Sequence, residues 1–589
     1  MDTLNLSRAV WFSKYCHRAA GKRAEDHIGA TWRRVAQAAA VVEGHPEIWA
    51  HEFEALLADF KFLPGGRILA GAGLDKQVTL FNCFVAGTLQ DSIEGILQGL
   101  KETAITMQQG GGVGIDFSPL RPSGTATIRT GSAASGPVSF MHIWDTLCST
   151  LLSTTARRGA MMGTLACDHP DIESFVSAKK ATGALSNFNL SVLISDQFMA
   201  AVRNGEPWPL VFPSRIVNKS ADADAEPRCF REIAARDLWR SIAETAHSSA
   251  EPGVLFVDTV NRNNNLRYCE SISATNPCGE IPLPPYGACN LGSINLPAFV
   301  RNPFRPDSCI DLDRLRGVTS VAVRFLDNII DASRFPLPQQ AERARQTRRI
   351  GLGVTGLADA LVMLGLHYSS ENGRRLAVSA MENIRNTAYE TSIELAAEKG
   401  GFPCFEKSAY LESPFIRQLP SSIRSAIASQ GIRNSHLLSI APAGTISLLA
   451  GNVSSGIEPI FALDATRAIR DADGDLQEHL VRDFAYAQWQ QLTDGTDRQL
   501  PDVFETAATL PATAHLAMQA SLQPCVDNAI SKTITVAENA TVDDVAAIYA
   551  DAFEAGVKGC TVFRPGATVG QVLRAQADTH CCNLDREAD

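Results

Sequence analysis

Short β-rich runs alternate with amphipathic helical stretches along most of this sequence, and that alternation restricts the fold more than any other feature. From about Phe62 onward, apolar runs suited to buried strands are separated by segments whose apolar residues recur at helical spacing. Such alternation is typical of an α/β domain. The strands that we predict are Val78–Val85, Phe188–Ile194, Gly253–Val260, His436–Ile440 and Gly559–Arg564.

Helical periodicity predicts where part of the core lies. A long helix through Arg374–Lys399 is expected to end at Gly400-Gly401, because glycine commonly terminates helices. We divide the chain into a polar helical region over 1–60, a main α/β body over 61–573 and a short tail over 574–589. Two apolar stripes predict core-facing helices: Phe140, Ile143, Trp144, Leu147 and Leu151, and then Leu315, Val318, Leu326, Ile329 and Ile330.

Composition and charge narrow the class of protein. The 589 residues are 45% hydrophobic and 20% charged, which is typical of a globular chain. A formal charge of −11 argues against nucleic-acid polymers and anionic membranes as partners. Residues 1–27 lack the apolar core of a signal peptide, and no run is long enough to cross a membrane. We therefore expect a cytoplasmic protein.

Fourteen cysteines are scattered along the chain rather than arranged as a disulfide framework. Most are expected to be reduced, buried thiols. The sequence has no pair of CxxC knuckles, so we predict no structural zinc or other metal site.

The segment Thr275–Pro282 combines residue types that carry chemistry. Taken alone, Pro277-Cys278-Gly279 is better explained as a tight turn with a buried thiol. Asn276 and Glu280 change that balance, because one loop then presents a thiol, a carboxylate and an amide. A cysteine thiyl radical can abstract hydrogen from carbon, and a nearby carboxylate can act as general base on a hydroxyl. The radical itself must come from a cofactor or a partner.

The sequence from about Phe62 to Leu573 resembles the ribonucleotide reductases, and in particular their cobalamin-dependent class II members. The most specific match is the block Asn276–Leu296, which resembles the finger-loop region of that family. Further matches are Leu80–Cys83, Gly110–Gly114, Arg157–Ala160, His169–Ile172, Ser454–Pro459 and Val526–Thr533.

The resemblance implies roles for individual residues. Cys278 would form the thiyl radical that takes the ribose 3′ hydrogen, Glu280 would accept the 3′-hydroxyl proton, and Asn276 would hold the ribose hydroxyls. Cys83 and Cys289 match the pair that supplies two electrons and closes to a disulfide at each turnover. Each of these two cysteines, considered alone, would be interpreted as a buried structural thiol.

A second segment matches the family loop that binds the substrate phosphates. A predicted strand is followed by a small-residue turn and the start of a helix, an arrangement that exposes backbone N–H groups. Without the resemblance, a simple capped turn is the better explanation of this segment. Ala443 stands where the family usually has threonine, so one hydroxyl contact is expected to be missing. The residues assigned to substrate binding are Asn82, Ala443, Gly444, Thr445, Ile446 and Ser447.

Asp91 and Ser92 match the family's site for a deoxynucleotide effector at a homodimer interface. The alternative is an ordinary helix N-cap followed by its first turn. Lys179–Ser186 corresponds to the loop that links effector to substrate.

Adenosylcobalamin is the radical source that the resemblance implies. Class I members carry two adjacent tyrosines where this chain has Thr561 and Val562, and no class III glycyl-radical motif is found. Cys581 and Cys582 are either a shortened thiol shuttle for a thioredoxin-like or small-thiol reductant or simply part of the terminus. Adjacent cysteines suit a shuttle poorly, because a vicinal disulfide is strained. The N-terminus has no recognisable ATP-cone.

The fold implied by the resemblance is a ten-stranded α/β barrel, made of two five-stranded parallel halves that run antiparallel to each other around a central finger loop. Its implied activity is reduction of ribonucleotides, diphosphates being favoured over triphosphates. Two alternatives stay open at this point: a class I-like reductase subunit, and a reductase-derived nucleotide-binding regulatory protein without turnover.

Overall fold

The structure of the protein is a computed structural model. It describes residues 3–19, 22–76, 78–126, 133–151, 160–180, 183–217, 226–470, 476–493 and 499–567. Within these ranges, none of the helices combines the length and apolar content that a membrane span requires.

The described residues form α-helices and β-strands in alternation. The helices are α1 Thr3–Val10, α2 Ile28–Ala40, α3 Pro46–Leu57, α4 Gly66–Gly71, α5 Ile93–Gln108, α6 Pro137–Thr150, α7 Ile172–Val176, α8 Asp196–Asn204, α9 Ala235–Ser249, α10 Val257–Arg262, α11 Leu312–Ala332, α12 Pro338–Thr347, α13 Leu357–Met363, α14 Glu371–Lys399, α15 Lys407–Leu411, α16 Pro414–Arg417, α17 Ser421–Gln430, α18 Gly444–Leu449, α19 Phe484–Leu492, α20 Ala512–Leu522 and α21 Val542–Glu554. The strands are β1 Arg18–Ala19, β2 Lys22–Arg23, β3 Phe62–Pro64, β4 Cys83–Val85, β5 Gly112–Asp116, β6 Met161–Ala166, β7 Phe188–Ile194, β8 Pro207–Phe212, β9 Arg228–Ala234, β10 Gly253–Phe256, β11 Ala274–Thr275, β12 Pro282–Leu283, β13 Ala288–Asn295, β14 Val300–Arg301, β15 Cys309–Ile310, β16 Ile350–Thr355, β17 Asp464–Arg470, β18 Leu476–Arg482, β19 Thr533–Thr535 and β20 Gly559–Phe563.

Ten strands form one large sheet in the order β16-β13-β4-β5-β6-β7-β10-β20-β19, with β3 added against β13. The run from β4 to β10 is parallel throughout. β13 is parallel to β16, and β19 is parallel to β20. The two groups meet antiparallel at β4–β13 and at β10–β20. The strands β13, β16, β19 and β20 therefore run opposite to the parallel group of β4, β5, β6, β7 and β10, as the resemblance implied, whereas β3 is antiparallel to β13.

Isolated backbone bridges continue this order beyond β16 and β19. Leu352 bridges to Leu438 in parallel, and Ile440 bridges to Ile530 in parallel. The segment 437–440 therefore lies between β16 and the residues that lead into β19. These bridges link the two ends of the strand order.

Two of the predicted strands are shorter than expected because side chains take their backbone N–H groups. In the predicted run Val78–Val85 only β4 is a strand, since Ser333 accepts the N–H of Leu80 and Thr79 accepts that of Phe81. The run His436–Ile440 forms single bridges only, because the Asp527 carboxylate accepts the N–H groups of Leu437 and Leu438 at 2.8 Å each.

The predicted strand Gly253–Val260 was wrong in its second half. β10 ends at Phe256, and the chain continues directly into helix α10. By contrast, β7 has the predicted bounds, and β20 ends one residue before its predicted end.

The second predicted stripe is buried apart from the half-buried Val318, whereas in the first stripe only Trp144 is buried and Phe140, Leu147 and Leu151 are half-buried. α11 buries Leu315, Leu326 and Ile329 completely, and α14 ends at Lys399 with Gly400 following it. In α6, however, Trp144 is fully buried whereas Ile143 is 41% exposed. Ile143 is therefore an exposed apolar side chain and not a core residue.

The N-terminal helices are fixed to α11 and α14 through a buried carboxylate. Glu43, just after α2, accepts hydrogen bonds from Lys399 at 2.7 Å, Asn328 at 2.8 Å and Arg324 at 3.0 Å. Burial alone would raise the pKa of Glu43, but the bonds from Lys399 and Asn328 outweigh it and lower the pKa. An ionised, fully partnered carboxylate thus joins the N-terminal helices to the main body. The domain boundaries at 60 and 573 stay predictions.

A short hairpin, β11–β12, lies between the two parallel groups of strands. Its base rests on β6, where Thr164 donates its hydroxyl to the Ser273 carbonyl at 2.9 Å. Its far side contacts the opposite group, where Ala529 donates its N–H to the Glu280 carbonyl at 3.0 Å. Gly114 of β5 permits this approach, because a Cβ there would lie 1.8 Å from the Thr275 carbonyl oxygen.

We expect Gly114→Ala to destabilise the protein by about 3 kcal/mol, because the obstructing atom belongs to the backbone and cannot rotate away. Gly317→Ala is the matched control, since Gly317 lies in α11 with nothing within 4 Å of its Cβ position. That variant should be neutral or stabilising by up to about 1 kcal/mol. Urea unfolding of the two variants measures the difference, and equal midpoints would contradict close packing at Gly114.

Candidate active site

The hairpin presents the predicted catalytic residues at its tip. β11 and β12 pair antiparallel through Ala274–Leu283 and Thr275–Pro282. The connecting turn is closed by a hydrogen bond from the Gly279 N–H to the Asn276 carbonyl at 3.1 Å. Gly279 has φ +83°, a conformation that glycine adopts without strain.

Contacts from three strands or strand-like segments fix this tip. Ser439 donates its hydroxyl to the Glu280 carbonyl at 2.9 Å, which adds to the bond from Ala529. On the other side of Cys278, the Asn189 side-chain amide of β7 donates to the Pro277 carbonyl at 2.8 Å. The Pro277 carbonyl before Cys278 and the Glu280 carbonyl after it are therefore both held by the residues around the hairpin.

Asn276 links the hairpin carboxylate to Cys83. Its Nδ2 donates to Glu280 Oε1 at 2.8 Å and to Cys83 Sγ at 3.2 Å. Cys83 in turn donates to Glu280 Oε1 at 3.8 Å. The second oxygen of Glu280, Oε2, has no hydrogen-bond partner among the described residues although it is buried. One carboxylate oxygen thus orients the group, and the other is available to a ligand.

Folding brings Cys83 and Cys289 directly opposite each other. They are register partners in the antiparallel β4–β13 pair, and both are fully buried free thiols. The Val85 N–H donates to the Gly287 carbonyl two positions along, so Cys83 and Cys289 occupy a hydrogen-bonded pair position. Cα atoms at such positions lie about 5.5 Å apart, which falls within the range for disulfides.

Burial shifts the protonation of these groups. It raises the pKa of Glu280 to about 7, although hydrogen bonds from its backbone, Asn276 and Cys83 oppose the shift. Burial, and then the charge of Glu280, raise the pKa of the Cys83 thiol well above its usual range. Burial likewise raises the pKa of Cys289. At neutral pH both cysteines are therefore thiols, while Glu280 titrates.

Cys278 is half-buried and lines a cavity of about 960 Å³. Asn189, Glu251, Gly253 and Thr561 also line it. Thr561 occupies the β20 position where tyrosine is found in class I reductases, so the smaller side chain leaves space beside the thiol.

The predicted phosphate loop lines a second cavity of about 1000 Å³. The two cavities share Pro442, Ser531 and Thr533, so they are neighbours. Ala443 is buried, and its N–H donates to the Ser455 hydroxyl at 2.7 Å. That N–H is consequently already used within the protein.

The remaining loop residues start a short helix. Gly444, Thr445, Ile446 and Ser447 form the first turn of α18, and Ser447 donates its hydroxyl to the Gly444 carbonyl at 2.8 Å. Asn82, the other residue predicted to bind substrate, is buried beside Cys83, and its side-chain oxygen has no partner among the described residues.

Asp91 and Ser92 begin helix α5. Ser92 is its N-cap and accepts the Gly95 N–H at 3.0 Å, as the alternative interpretation of this segment required. Asp91 accepts the Arg121 N–H at 3.1 Å and its Nε at 2.8 Å. These contacts neither establish nor exclude effector binding, which stays a prediction.

Some predicted features lie outside the described residues. They are Arg157–Gly159, part of Lys179–Ser186, and the tail with Cys581 and Cys582.

Asn189 and Ser439 hold the hairpin tip, and neither was predicted from the sequence to belong to the site. A signal was present, because each is a polar residue within an otherwise apolar predicted strand. Such a residue needs a hydrogen-bond partner when its strand is buried.

This arrangement belongs to a known class of enzyme. Residues 81–563 match the family model described as "Ribonucleotide reductase, barrel domain", and residues 2–77 match "Ribonucleotide reductase, all-alpha domain". The chain is a member of the ribonucleotide reductase family.

Its relatives include enzymes named for their cofactor. The chain is 41% identical to the vitamin B12-dependent ribonucleoside-diphosphate reductase of Mycobacterium tuberculosis, over 98% of this chain and 83% of that protein. It is 37% identical to the enzyme of the same name from Thermoplasma acidophilum, over 90% of this chain and 66% of that protein. A vitamin B12-dependent ribonucleotide reductase from Streptomyces coelicolor is 29% identical over 90% of this chain and 61% of its own length.

The raised pKa of Glu280 predicts a pH-dependent stability. The folded state holds this proton more tightly than the unfolded chain, so stability falls as pH rises from about 4.5 through about 7. Glu280→Gln removes the buried charge and should stabilise the protein at pH 8 by on the order of 3 kcal/mol, with little effect near pH 5. Thermal unfolding at both pH values measures this.

Glu52→Gln, at an exposed carboxylate, is the control, and its melting temperature should equal that of wild type at both pH values. An equal melting temperature of wild type and Glu280→Gln at pH 8 would contradict a buried, ionised Glu280.

Proposed function

We propose that this chain reduces ribonucleoside diphosphates to 2′-deoxyribonucleoside diphosphates by radical chemistry at Cys278, with adenosylcobalamin as cofactor. The observation that carries the proposal is the convergence of Asn276, Glu280, Cys83 and Cys289 around one hairpin tip. The relatives named as vitamin B12-dependent reductases support the cofactor.

Each residue has a role that its surroundings permit. Cys278, as a thiyl radical, takes the 3′ hydrogen of the ribose. Glu280 accepts the 3′-hydroxyl proton at Oε2, the oxygen without a protein partner. Asn276 is assigned to the ribose hydroxyls. Its Nδ2 donates to Glu280 and Cys83, and its Oδ1 accepts from Thr275 and Ile281, so a ribose hydroxyl has to replace one of these bonds.

Cys83 and Cys289 supply the reducing equivalents. The C2′–OH bond breaks, the hydroxyl leaves as water and a C2′–H bond forms, while the two thiols lose two hydrogens and join as a disulfide. Because burial keeps both cysteines protonated, they can deliver hydrogen as well as electrons. Their position as direct register partners suits disulfide formation.

The cavity beside Cys278 fits the adenosyl side of the proposed cofactor. Its wall includes Cys278, so a group bound there reaches the thiol without crossing protein. Gly253 allows β10 to pack closely against β20 at this wall, because a Cβ at that position would lie 2.9 Å from Thr561 Oγ1. When bound, adenosylcobalamin supplies the radical that removes the thiol hydrogen of Cys278.

The neighbouring cavity is the proposed site of the substrate phosphates. Gly444 and Ser447 of the first turn of α18 line this cavity. The N–H of Ala443 is excluded as a contact, since it donates to Ser455.

Incubation of the purified protein with a ribonucleoside diphosphate, dithiothreitol and adenosylcobalamin tests the function. We expect deoxyribonucleotide only when the cobalamin is present. Cys278→Ala should abolish product, whereas Cys83→Ser and Cys289→Ser should bind substrate normally but fail to turn over repeatedly. Product formation by Cys278→Ala would contradict the mechanism, and nucleotide binding without product would favour a regulatory protein.

The protein is also proposed to act as a homodimer that binds a deoxynucleotide effector near Asp91 and Ser92. Ile93 and Leu97 of α5 are 58% and 51% exposed, and Ile143 of the adjacent α6 is 41% exposed. An exposed apolar patch of this kind marks a contact surface. A thioredoxin-like protein or a small thiol is the proposed reductant, with Cys581 and Cys582 as a candidate shuttle, and such thiol chemistry suits the cytoplasm.

We expect Leu97→Lys to convert a dimer into a monomer and to remove effector-dependent base selection, because it places charge in the apolar patch. Sedimentation velocity measures the first effect, and product ratios with and without deoxynucleotides measure the second. Leu312→Lys, at a 38% exposed leucine on α11, is the control and should stay dimeric. An unchanged sedimentation coefficient for Leu97→Lys would exclude this interface.

A further inference from the structure

The peptide that precedes Cys278 has one side-chain contact on which the orientation of the thiol depends. Proline has no N–H, so the carbonyl is the only backbone polar group of Pro277. Asn189 donates its side-chain amide to that carbonyl at 2.8 Å. The next residue but one, Gly279, has φ +83° and open space around its Cβ position. Cys278 therefore lies between a peptide that Asn189 holds and a glycine, the residue with the greatest backbone freedom.

Asn189 itself is fixed by an ion pair that holds the backbone on both sides of it. Lys179 Nζ donates to both carboxylate oxygens of Glu251 at 2.7 Å and to the Phe188 carbonyl at 2.6 Å. Glu251 Oε2 also accepts the Leu190 N–H at 3.2 Å. The residues before and after Asn189 are thus both attached to the same pair.

The sheet explains why an ion pair is needed here. β10 begins to pair with β7 only at Gly253–Ser191, so the start of β7 has no strand partner on that side. Lys179 and Glu251 take the hydrogen bonds that β10 would otherwise make. Their side chains are 13% and 14% exposed, so little water competes with them.

The same residues face the reaction space. Asn189, Leu190 and Glu251 line the cavity of about 960 Å³ together with Cys278. A shift of the start of β7 would therefore move the Pro277–Cys278 peptide within the site itself.

We propose that Asn189 is the positioning residue of Cys278 and that the Lys179–Glu251 ion pair sets the position of Asn189. The proposal deepens the proposed function and rests on it for its catalytic consequence. Asn189 donates to the Pro277 carbonyl, which takes no part in the proposed reaction. It acts by fixing the peptide plane from which the Cys278 side chain projects.

The first test needs neither nucleotide nor cobalamin. The rate at which iodoacetamide alkylates Cys278 is measured by peptide mass spectrometry in the folded wild-type chain and in Asn189→Asp, an isosteric change that removes the amide donor. We expect alkylation of Cys278 to rise at least about threefold, because the tip loses its restraint. The exposed Cys269 is an internal reference thiol and should react at an unchanged rate.

Asn187→Asp is the matched control. Asn187 precedes the same strand, but its amide donates to Asp145 of α6 and not to the hairpin. Its alkylation profile at Cys278 should equal that of wild type. Lys179→Met should reproduce the Asn189→Asp profile, because it releases Phe188 and Glu251 together.

The second test separates positioning from binding. Asn189→Asp and Lys179→Met should lower kcat roughly 10- to 100-fold while KM changes less than about twofold, since misplacement by about 1 Å costs rate rather than affinity. Folded variants in which Cys278 alkylation stays within twofold of wild type would overturn the proposal. If wild type itself makes no deoxyribonucleotide, the proposed function fails, and the alkylation experiment still decides whether Asn189 holds Cys278.

Discussion

The antiparallel junction between β4 and β13 is the constraint on which the rest of this structure depends. It consists of two register pairs, Phe84–Ala288 and Cys83–Cys289, and it joins two groups of strands that are each parallel internally. Only antiparallel strands contain directly opposed residues that exchange both backbone hydrogen bonds. The reversal of direction at this junction creates such a pair, and it brings two thiols together without a local sequence motif.

The same reversal creates the space that the hairpin occupies. Because the two parallel groups face each other, a segment between them can be held from both sides, by Asn189 on one and by Ser439 and Ala529 on the other. Small residues are required where strand and hairpin approach most closely. At Gly114 and Gly112 of β5 a Cβ would lie 1.8 Å from the Thr275 carbonyl oxygen and 3.0 Å from Pro277 Cγ. These two glycines are therefore explained by packing around the loop rather than by turns.

Much of this arrangement could be predicted from the sequence, and the exceptions share a physical cause. Phe188–Ile194 was predicted with the bounds that β7 has, because a short, mostly apolar run of this length is typical of a strand. The run His436–Ile440 has the same signal, but the Asp527 carboxylate replaces a strand neighbour there. Local pattern cannot reveal a partner 90 residues away in the chain. The same limit applies to Asn189, whose bond to Pro277 joins two segments that have no sequence relationship.

The burial that makes Cys83 and Cys289 suitable donors also makes them difficult to regenerate. Attack on a disulfide requires a thiolate and access to one sulfur, and both cysteines are fully buried with raised pKa values. As thiols they can supply hydrogen to a substrate radical in a site that excludes water. As a disulfide they would be shielded from any reductant that cannot enter the cavity between the strands. A reductant therefore has to be small, or delivered on a flexible segment.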